Sequence, residues 1–316
     1  MPGEFELIAR HFARLTPPRP DVSLAAGDDA ALLRPAPGHE LVAAVDTLVE
    51  GVHFFADCAP AALGHKALAV NLSDLAAMGA QPAWALLALT VPRVDDTWLV
   101  QFARGFAELA QAFGVALVGG DTCRGPLAVS VTVLGQVPQG RALRRAGARP
   151  GDAVYVSGQI GVAALAVQAR RGMLALPAAL AEEAGRRLDY PQPRLELGQA
   201  LRGLATAAID VSDGLLADLG HICAASGVGA RLELQRLPLP AGALALAGPQ
   251  VLLGGGDDYE LCFTVSPAQE AALMRAAAGC GPLTRIGCIE AAPGVRLVDG
   301  EGRAVPCEGL GHDHFR

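Results

Sequence analysis

Short acidic segments recur along this chain, most of them where an apolar run stops and a glycine or small residue follows. Asp places its oxygens close to the backbone, and a neighbouring glycine lets a ligand approach and permits positive φ. The apolar run 41–45 leads into Asp46, which predicts a buried strand that ends in a carboxylate at a sheet edge, where open α/β sheets usually hold ligands. The segments are Gly27-Asp28-Asp29, Asp46, Ser73-Asp74, Gly120-Asp121, Asp210-Val211-Ser212-Asp213-Gly214 and Gly256-Asp257-Asp258.

Carboxylates that converge in a fold need a compensating charge. A like-charged pair at about 4 Å costs about 1 kcal/mol in water and about 4 kcal/mol at an effective dielectric near 20. Several such pairs approach the whole stability of a domain, about 5–15 kcal/mol. Hard oxygen ligands suit Mg²⁺, which usually keeps waters and substrate phosphates as further ligands. Convergence would therefore indicate several divalent cations and a nucleotide phosphate.

A simpler interpretation applies to each acidic segment taken alone. A single Asp beside a Gly is usually a turn residue or a helix cap, and Asp213 could be a first-turn residue of its helix. Six independent coincidences are a weaker explanation than one shared site. The carboxylates are also too widely spaced for an EF-hand, whose ligands lie within one twelve-residue loop.

Length, charge and cysteine content define the broad class of protein. The 316 residues are enough for two domains with cores of their own, and a net charge of −7 without a basic run argues against nucleic acid. Seven scattered cysteines without a C-x-x-C pair are typical of reduced thiols. No signal peptide is apparent, and the longest apolar run, residues 84–91, is too short to span a bilayer. We therefore expect a cytoplasmic protein with no membrane or nucleic-acid partner.

A single lysine, Lys66, limits how the chain can handle phosphate. It follows Gly64-His65 and does not close a G-x-x-x-x-G-K-[ST] loop, which excludes a P-loop NTPase. Any phosphate must then be bound by arginine, backbone N–H groups and metal ions.

Strands and helices are mixed throughout the sequence, which predicts two α/β or α+β domains. In the first half we expect helices at 4–15, 60–78 and 95–113, with strands at 39–46, 84–91, 115–118 and 127–137. The stretch 138–151 is rich in Gly, Pro and Arg, and it predicts a domain boundary between 1–138 and 139–316. Beyond it we expect a strand at 153–157, helices near 160–171, 178–188, 194–204 and 213–225, a strand ending at Asp210, and a strand–helix–strand unit over 261–289.

The motifs closely resemble those of the thiamine-monophosphate kinase family, in family order and over essentially the whole chain. They are Gly27-Asp28-Asp29-Ala30, Asp46-Thr47-Leu48-Val49 with Gly51 and His53-Phe54, Asn71-Leu72-Ser73-Asp74-Leu75-Ala76-Ala77-Met78-Gly79-Ala80, Gly119-Gly120-Asp121-Thr122, Asp210-Val211-Ser212-Asp213-Gly214-Leu215 and Gly255-Gly256-Asp257-Asp258-Tyr259-Glu260-Leu261. The resemblance implies ATP-dependent phosphorylation of thiamine monophosphate to thiamine diphosphate. It also implies the two-domain fold of aminoimidazole ribonucleotide synthetase, in which N-terminal domains pair in a homodimer to form a β-barrel and an α/β C-terminal domain flanks it.

The same resemblance implies a role for particular residues. Metal positions for several Mg²⁺ ions are Asp29, Asp46, Asp74, Asp121, Asp210 and Asp213. ATP contacts are Gly120, Asp121, Arg145 and Ser212, and substrate contacts are His53, Asp257 and His312. Because the acceptor phosphate is already ionised near neutral pH, we expect no general base. Asp257 could offset the cationic thiazolium of thiamine.

Three positions depart from the family pattern. Ala44-Val45 stands where many relatives have hydroxyl residues, so any metal contact there must come from backbone carbonyls. Asp257 replaces a glutamate, and His312 stands where an aromatic residue would flank the thiamine ring. These departures affect the predicted substrate site more than the metal site.

Two alternatives stay open at this point. One is another ATP-dependent synthetase of the same superfamily. Residues 1–30 lack the cysteine expected of selenophosphate synthetase, and the chain lacks the C-terminal cysteine of the hydrogenase-maturation protein. The other is a metal- or nucleotide-binding protein without catalytic activity.

Overall fold

The computed structural model describes residues 4–12, 15 and 17–307 of the chain. These residues form two compact units. The N-terminal unit consists of Met1–Leu75 and Ala80–Gly140, and the C-terminal unit of Ala76–Gly79 and Arg141–Arg316. Helices and strands are mixed in both units, which confirms the predicted mixed α/β class.

The N-terminal unit is built on a four-stranded sheet. Its elements are α1 (Glu4–His11), β1 (Val22–Leu24), β2 (Leu32–Leu33), β3 (His39–Val49), α2 (Pro60–Ala77), β4 (Gln81–Val91), α3 (Asp96–Ala112), β5 (Ala116–Arg124) and β6 (Ala128–Pro138). The strand order is β3-β6-β4-β5, with β4 and β5 parallel and the other pairs antiparallel. β1 and β2 form a separate antiparallel ribbon.

The two faces of this sheet differ in exposure. Val129, Val131 and Val133 of β6 are fully buried, and the residues between them are half-buried, as expected from the alternation of side chains along a strand. The edge strand β3 places Leu41 and Val45 on the other face, and their side chains are 53% and 61% exposed. One face of the sheet therefore forms the core of the unit, and the other presents apolar side chains to the surface.

The C-terminal unit is built on a six-stranded sheet. Its elements are β7 (Ala153–Ser157), α4 (Val162–Arg170), α5 (Ala178–Asp189), α6 (Leu195–Ala200), β8 (Ala205–Asp210), α7 (Leu215–Ser226), β9 (Gly229–Glu233), α8 (Ala243–Gly254), β10 (Leu261–Val265), α9 (Glu270–Ala276), β11 (Leu283–Glu290) and β12 (Gly294–Val298). The order is β12-β9-β11-β7-β10-β8, and only the β12–β9 pair is parallel. The described residues therefore contain open sheets and no closed barrel.

Several element boundaries differ from those predicted. β3 does not end at Asp46 but continues to Val49, and β5 continues through Asp121 to Arg124. The strand that carries Asp46 is also an exposed edge strand, not a buried one. α1 and α6 are shorter than expected, and α8 was not predicted because Gly248-Pro249 interrupts it. Within the described residues, no helix combines the length and apolarity needed to cross a membrane.

Candidate active site

The predicted metal positions of the N-terminal unit lie on four different elements. Asp29 is exposed in the loop between β1 and β2, and its N–H donates to the Asp28 carboxylate at 2.8 Å. Asp46 is half-buried in β3, and Asp74 is half-buried near the end of α2. Asp121 is exposed in β5. Hard carboxylate ligands are thus available from a loop, from a helix and from the two edge strands of the sheet, β3 and β5.

Asn71 links two of these positions. Its side chain is fully buried in α2, where its Oδ1 accepts a hydrogen bond of 2.9 Å from the backbone N–H of Asp46. Its Nδ2 donates to the carbonyl oxygen of Ala67 at 2.9 Å, so the amide orientation is fixed at both ends. Asp74 follows three residues later on the same helix, a spacing that places the two side chains on neighbouring positions of one face. Asn71 therefore fixes the backbone of β3 against the helix that carries Asp74.

The turn after β3 determines the tautomer of His53. The backbone N–H of Val49 donates to His53 Nδ1 at 3.0 Å, so the neutral imidazole carries its proton on Nε2. The turn is closed by hydrogen bonds from the N–H of His53 to the carbonyl of Val49 and from the N–H of Gly51 to the carbonyl of Phe54. His53 is thus held as a donor through Nε2, the form that suits a phosphate oxygen.

Gly120 has no room for a side chain. Its φ is 154°, and a Cβ there would overlap the backbone carbonyl of Leu87 on the paired strand β4. The register of the β4–β5 pair shifts between Ala85 and Leu86, just before this point. The close approach of the two backbones explains why glycine precedes Asp121.

In the C-terminal unit, strand pairing brings two predicted segments together. β8 ends at Asp210, and its Cα partner is Leu261, the first residue of β10. The loop of residues 210–214 and the loop of residues 256–260 therefore lie side by side. Three predicted site residues in the first, Asp210, Ser212 and Asp213, thus neighbour Asp257 in the second.

Asp218 organises the 210–214 loop. It lies in the first turn of α7, is 2% exposed, and one of its oxygens accepts hydrogen bonds of 3.1 Å from the N–H groups of Ser212, Asp213 and Gly214. Burial, and then the charges of Asp210 and Asp213, raise the pKa of Asp218 to about 7. Neighbouring negative charge therefore contributes to the shift after burial, and a cation bound at the loop would relieve that contribution.

Glu260 anchors the 256–260 loop. Its side chain is fully buried and accepts hydrogen bonds from Ser157 Oγ at 2.6 Å, from Arg187 at 3.1 Å and from Arg194 Nε at 2.7 Å. A second nitrogen of Arg194 also bonds this carboxylate, which makes the pair bidentate. The buried charge is therefore fully paired.

Two further predicted residues, Arg145 and His312, lie outside these two loops. Arg145 is exposed in the connection between β6 and β7, where its backbone carbonyl accepts a hydrogen bond from Ser226 Oγ at 3.3 Å. His312 lies outside the described residues. In the described part of the chain, no three His, Cys, Asp or Glu side chains are arranged to hold a metal ion, so the metal ligand set stays a prediction.

The anchoring roles of Asn71, Asp218 and Glu260 were not predicted. Each is a single polar residue beside or within an apolar run, and Asn71 is the only asparagine in the sequence. A buried polar side chain must be hydrogen-bonded, so an isolated polar residue in an apolar segment was the available signal. The sequence alone could not show which groups would form the hydrogen bonds of each side chain.

Comparison with known proteins identifies relatives over nearly the whole chain. The model of the AIR synthase related protein N-terminal domain matches residues 27–137, and that of the C-terminal domain matches residues 149–300. The thiamine-monophosphate kinase of Escherichia coli K12 is 47% identical over 99% of this chain and 98% of its own length. The relative from Caulobacter vibrioides with the same name is 44% identical over 95% of this chain and 86% of its own.

Solved structures give the same result. The thiamine-monophosphate kinase of Stenotrophomonas maltophilia K279a has a TM-score of 0.83 and 48% identity, covering 91% of this chain and 93% of the other. The complex of AaThiL with AMPPCP and TMP has a TM-score of 0.77 and 29% identity, covering 88% of this chain and 89% of the other.

Proposed function

This chain belongs to the thiamine-monophosphate kinase family of AIR synthase related proteins, and we propose how its residues support the reaction of that family. The enzyme uses ATP to phosphorylate thiamine monophosphate, giving thiamine diphosphate. The observation that carries this conclusion is the 47% identity to the Escherichia coli enzyme over 99% of the chain. The family motifs of both units are present in that span.

Six aspartates are proposed to hold several Mg²⁺ ions: Asp29, Asp46, Asp74 and Asp121 in the N-terminal unit, and Asp210 and Asp213 in the C-terminal unit. Their donor atoms are carboxylate oxygens, which Mg²⁺ prefers. The raised pKa of Asp218, due to burial and to two of these aspartates, supports a cation at the 210–214 loop. When bound, Mg²⁺ neutralises phosphate charge and aligns the transferring group.

For ATP, we propose contacts from Gly120, Asp121, Arg145 and Ser212. Phosphate binding must rely on arginine and backbone groups because the only lysine, Lys66, is 2% exposed in α2. Arg145 is exposed, and its planar guanidinium suits bidentate contact with a phosphate. The exposed backbone at Gly120 allows close approach of a ligand.

For thiamine monophosphate, we propose contacts from His53, Asp257 and His312. The Nε2–H tautomer of His53 suits donation to a phosphate oxygen, and the charge of Asp257 complements the thiazolium cation. No side chain is required as a general base, because the attacking phosphate oxygen is already ionised near neutral pH. The chain's own residues therefore bind and orient two anions for in-line transfer.

A homodimer is proposed from the exposed sheet face of the N-terminal unit. Leu41 and Val45 are more than half exposed on the edge strand β3, and Ala43 between them is exposed as well. Apolar positions that continue along one strand face are typical of an interface. Pairing of this face in two copies would form the dimeric β-barrel expected for the family.

We also propose a division of labour and a location. Residues 1–138 would supply dimerisation and most metal ligands, and residues 139–316 would supply further nucleotide and substrate contacts. Location in the cytoplasm is proposed from the cysteine pattern of the sequence, in which seven scattered cysteines include no C-x-x-C pair.

The test is direct. Purified protein with ATP, MgCl₂ and thiamine monophosphate should form thiamine diphosphate, measured by chromatography, and unphosphorylated thiamine should not replace the acceptor. Omission of the divalent metal should stop the reaction. Absence of thiamine diphosphate in the complete mixture would contradict the function.

A further inference from the structure

Two residues of the 256–260 loop have backbone conformations that L side chains rarely adopt. Asp257 has φ 68° and Tyr259 has φ 51°, and no other non-glycine residue in the described ranges has positive φ. Asp tolerates this region, but a bulky tyrosine there is an outlier. Such strain is unfavourable and is found mainly at ligand sites. The loop must therefore be held in place by its surroundings.

One constraint acts at the end of the loop through the buried carboxylate of Glu260. Its hydrogen bonds reach Ser157 on β7 and Arg187 and Arg194 around the α5–α6 connection. A Cβ at Gly158, where φ is 55°, would overlap this carboxylate, so only glycine fits beside it. Because the anion is enclosed on several sides, the end of the loop has little freedom to relax.

A second constraint joins the loop to the 210–214 loop by backbone hydrogen bonds. The N–H of Asp257 donates to the carbonyl of Ser212 at 2.9 Å, and the N–H of Tyr259 donates to the carbonyl of Val211 at 2.9 Å. In return, the N–H of Val211 donates to the carbonyl of Glu260 at 2.8 Å. The loop proposed to contact the acceptor is thus fixed to the loop proposed to contact metal and nucleotide.

The strained conformation places the two side chains in contact with each other. The phenol of Tyr259, which is 9% exposed, donates a hydrogen bond of 3.1 Å to Asp257 Oδ1. Because this hydrogen bond holds one oxygen of the carboxylate, it also fixes the direction in which the second oxygen points. The structure therefore supplies a reason for the unusual backbone at Tyr259, because an extended residue would direct its side chain elsewhere.

We propose that Tyr259 is a positioning residue that orients the Asp257 carboxylate toward the cationic part of the acceptor. This inference rests on the proposed function and deepens it by adding a residue to the acceptor site. Tyr259 acts through Asp257 and takes no part in transfer. Loss of its phenol should consequently weaken the binding of thiamine monophosphate without lowering the rate of phosphoryl transfer once the substrate is bound.

The test is steady-state kinetics of Tyr259→Phe, which removes only the phenolic oxygen. We expect the KM for thiamine monophosphate to rise roughly tenfold, the equivalent of about 1.4 kcal/mol, with kcat and the KM for ATP unchanged. The melting temperature should stay that of the wild type. Tyr155→Phe is the matched control, because its phenol donates to Glu270 at 2.8 Å, on α9, and its loss should leave the KM unchanged.

A double-mutant cycle separates positioning from a purely structural role. Asp257→Gly removes the carboxylate while tolerating positive φ, and Tyr259→Phe should have no further effect on the KM in that background. An unchanged KM in Tyr259→Phe, a joint fall of kcat and melting temperature, or an undiminished effect in the Asp257→Gly background would each overturn the proposal. A wild-type protein that forms no thiamine diphosphate would overturn the function as well, whereas an active wild type with a normal Tyr259→Phe variant would overturn the positioning role alone.

Discussion

The side-chain oxygen of Asn71 accepts a hydrogen bond of 2.9 Å from the backbone N–H of Asp46. Asn71 is fully buried, so this bond and the one to Ala67 satisfy both halves of its amide. The contact ties the proposed metal ligand of an edge strand to the helix that carries Asp74. An edge strand is held by one neighbour only, so a side chain from α2 adds constraint where the sheet supplies least.

Asn71→Leu tests this constraint. Leucine has a similar volume but leaves the N–H of Asp46 without its acceptor, and an unsatisfied buried donor costs about 1–3 kcal/mol. We expect the free energy of unfolding to fall by that amount in denaturant titration. We also expect kcat/KM to fall roughly 10- to 100-fold at limiting Mg²⁺, as for other residues that orient a metal ligand.

The control for Asn71→Leu is Leu72→Ala, at the adjacent, equally buried position of α2. It should cost about 2–5 kcal/mol of stability through a cavity, while the Mg²⁺ concentration needed for half-maximal activity stays that of the wild type. If both variants shift the Mg²⁺ requirement equally, the role of Asn71 is only packing.

Asp121→Asn should abolish turnover and leave the fold intact. Asp121 is exposed in β5, so exchange of its carboxylate for an amide disturbs no buried group. Because loss of an outer partner of a metal site already costs about 10–100-fold, loss of a direct ligand should exceed about 100-fold in kcat. Activity assays and circular dichroism check the two halves of the prediction.

Asp95→Asn provides the comparison for Asp121→Asn. Asp95 caps α3 by accepting from the N–H of Trp98 at 3.1 Å, and asparagine caps a helix equally well. This variant should keep wild-type activity. Near-normal turnover in Asp121→Asn would show that Asp121 is not a metal ligand.

The sequence predicted most elements but not where two strands end. The first strand was expected to end at Asp46 and the other at Val118, just before Gly119-Gly120-Asp121, because an apolar run gives way to glycine or charge there. Instead, β3 pairs with β6 as far as Val49 opposite Ala128, and β5 continues beside β4 to Arg124. A complete ladder with a neighbouring strand outweighs the local polarity, and that neighbour is not visible in the local sequence. Asp210 did end its strand, since Ser212, Asp213 and Gly214 follow after Val211.

For the candidate site, the sequence indicated residues that could contact ligands but not the residues that hold them in place. Resemblance to the family supplied the residues that are proposed to contact ligands, such as Asp210 and Asp257. It did not supply the residues that hold them, because the bonds of Asp218 to the 210–214 loop and of Glu260 to Arg187 depend on tertiary contacts. The helix α8 was not predicted for a local reason. Gly248 and Pro249 interrupt its sequence pattern, and Gly248 is non-helical, with φ 74° and ψ 166°.

Leu41→Asp should separate the proposed dimer. Leu41 is 53% exposed on the open face of β3, five residues from Asp46, so the change tests the interface without removing a metal ligand. Burying an unpaired carboxylate in a symmetric interface places two like charges there and strongly disfavours association. Sedimentation velocity should show a dimer for the wild type and a monomer for the variant.

Met173→Asp is the matched control for the dimer, because Met173 is 70% exposed and lies in the C-terminal unit. It should remain dimeric. A monomeric wild type, or a Leu41→Asp variant that still sediments as a dimer, would show that the exposed face of β3 is not a dimer interface.

The carboxyl group of Asp258 should make stability depend on pH. Burial, together with the charges of Glu260 and Asp257, raises its pKa well above the ordinary value, although N–H groups of Gly161 and Ala163 act in the opposite direction. The folded state then holds a proton that the unfolded chain releases above pH 3.8. This group's contribution to stability is therefore complete below that pH and is lost as the pH rises toward the folded pKa.

The difference in the free energy of unfolding between the wild type and Asp258→Asn isolates that contribution, because the other titrating groups are common to both proteins. Asparagine keeps an oxygen for the N–H of Gly161 but does not titrate. We expect the free energy of unfolding of the wild type, relative to the variant, to fall with a slope approaching about 1.4 kcal/mol per pH unit above the pKa of the unfolded carboxyl. Denaturant titrations between pH 4 and neutrality, in the absence of substrate, measure it. A difference that is constant with pH, or that rises with pH, would mean that Asp258 is ionised in the folded protein and that the N–H groups at the start of α4 outweigh its burial.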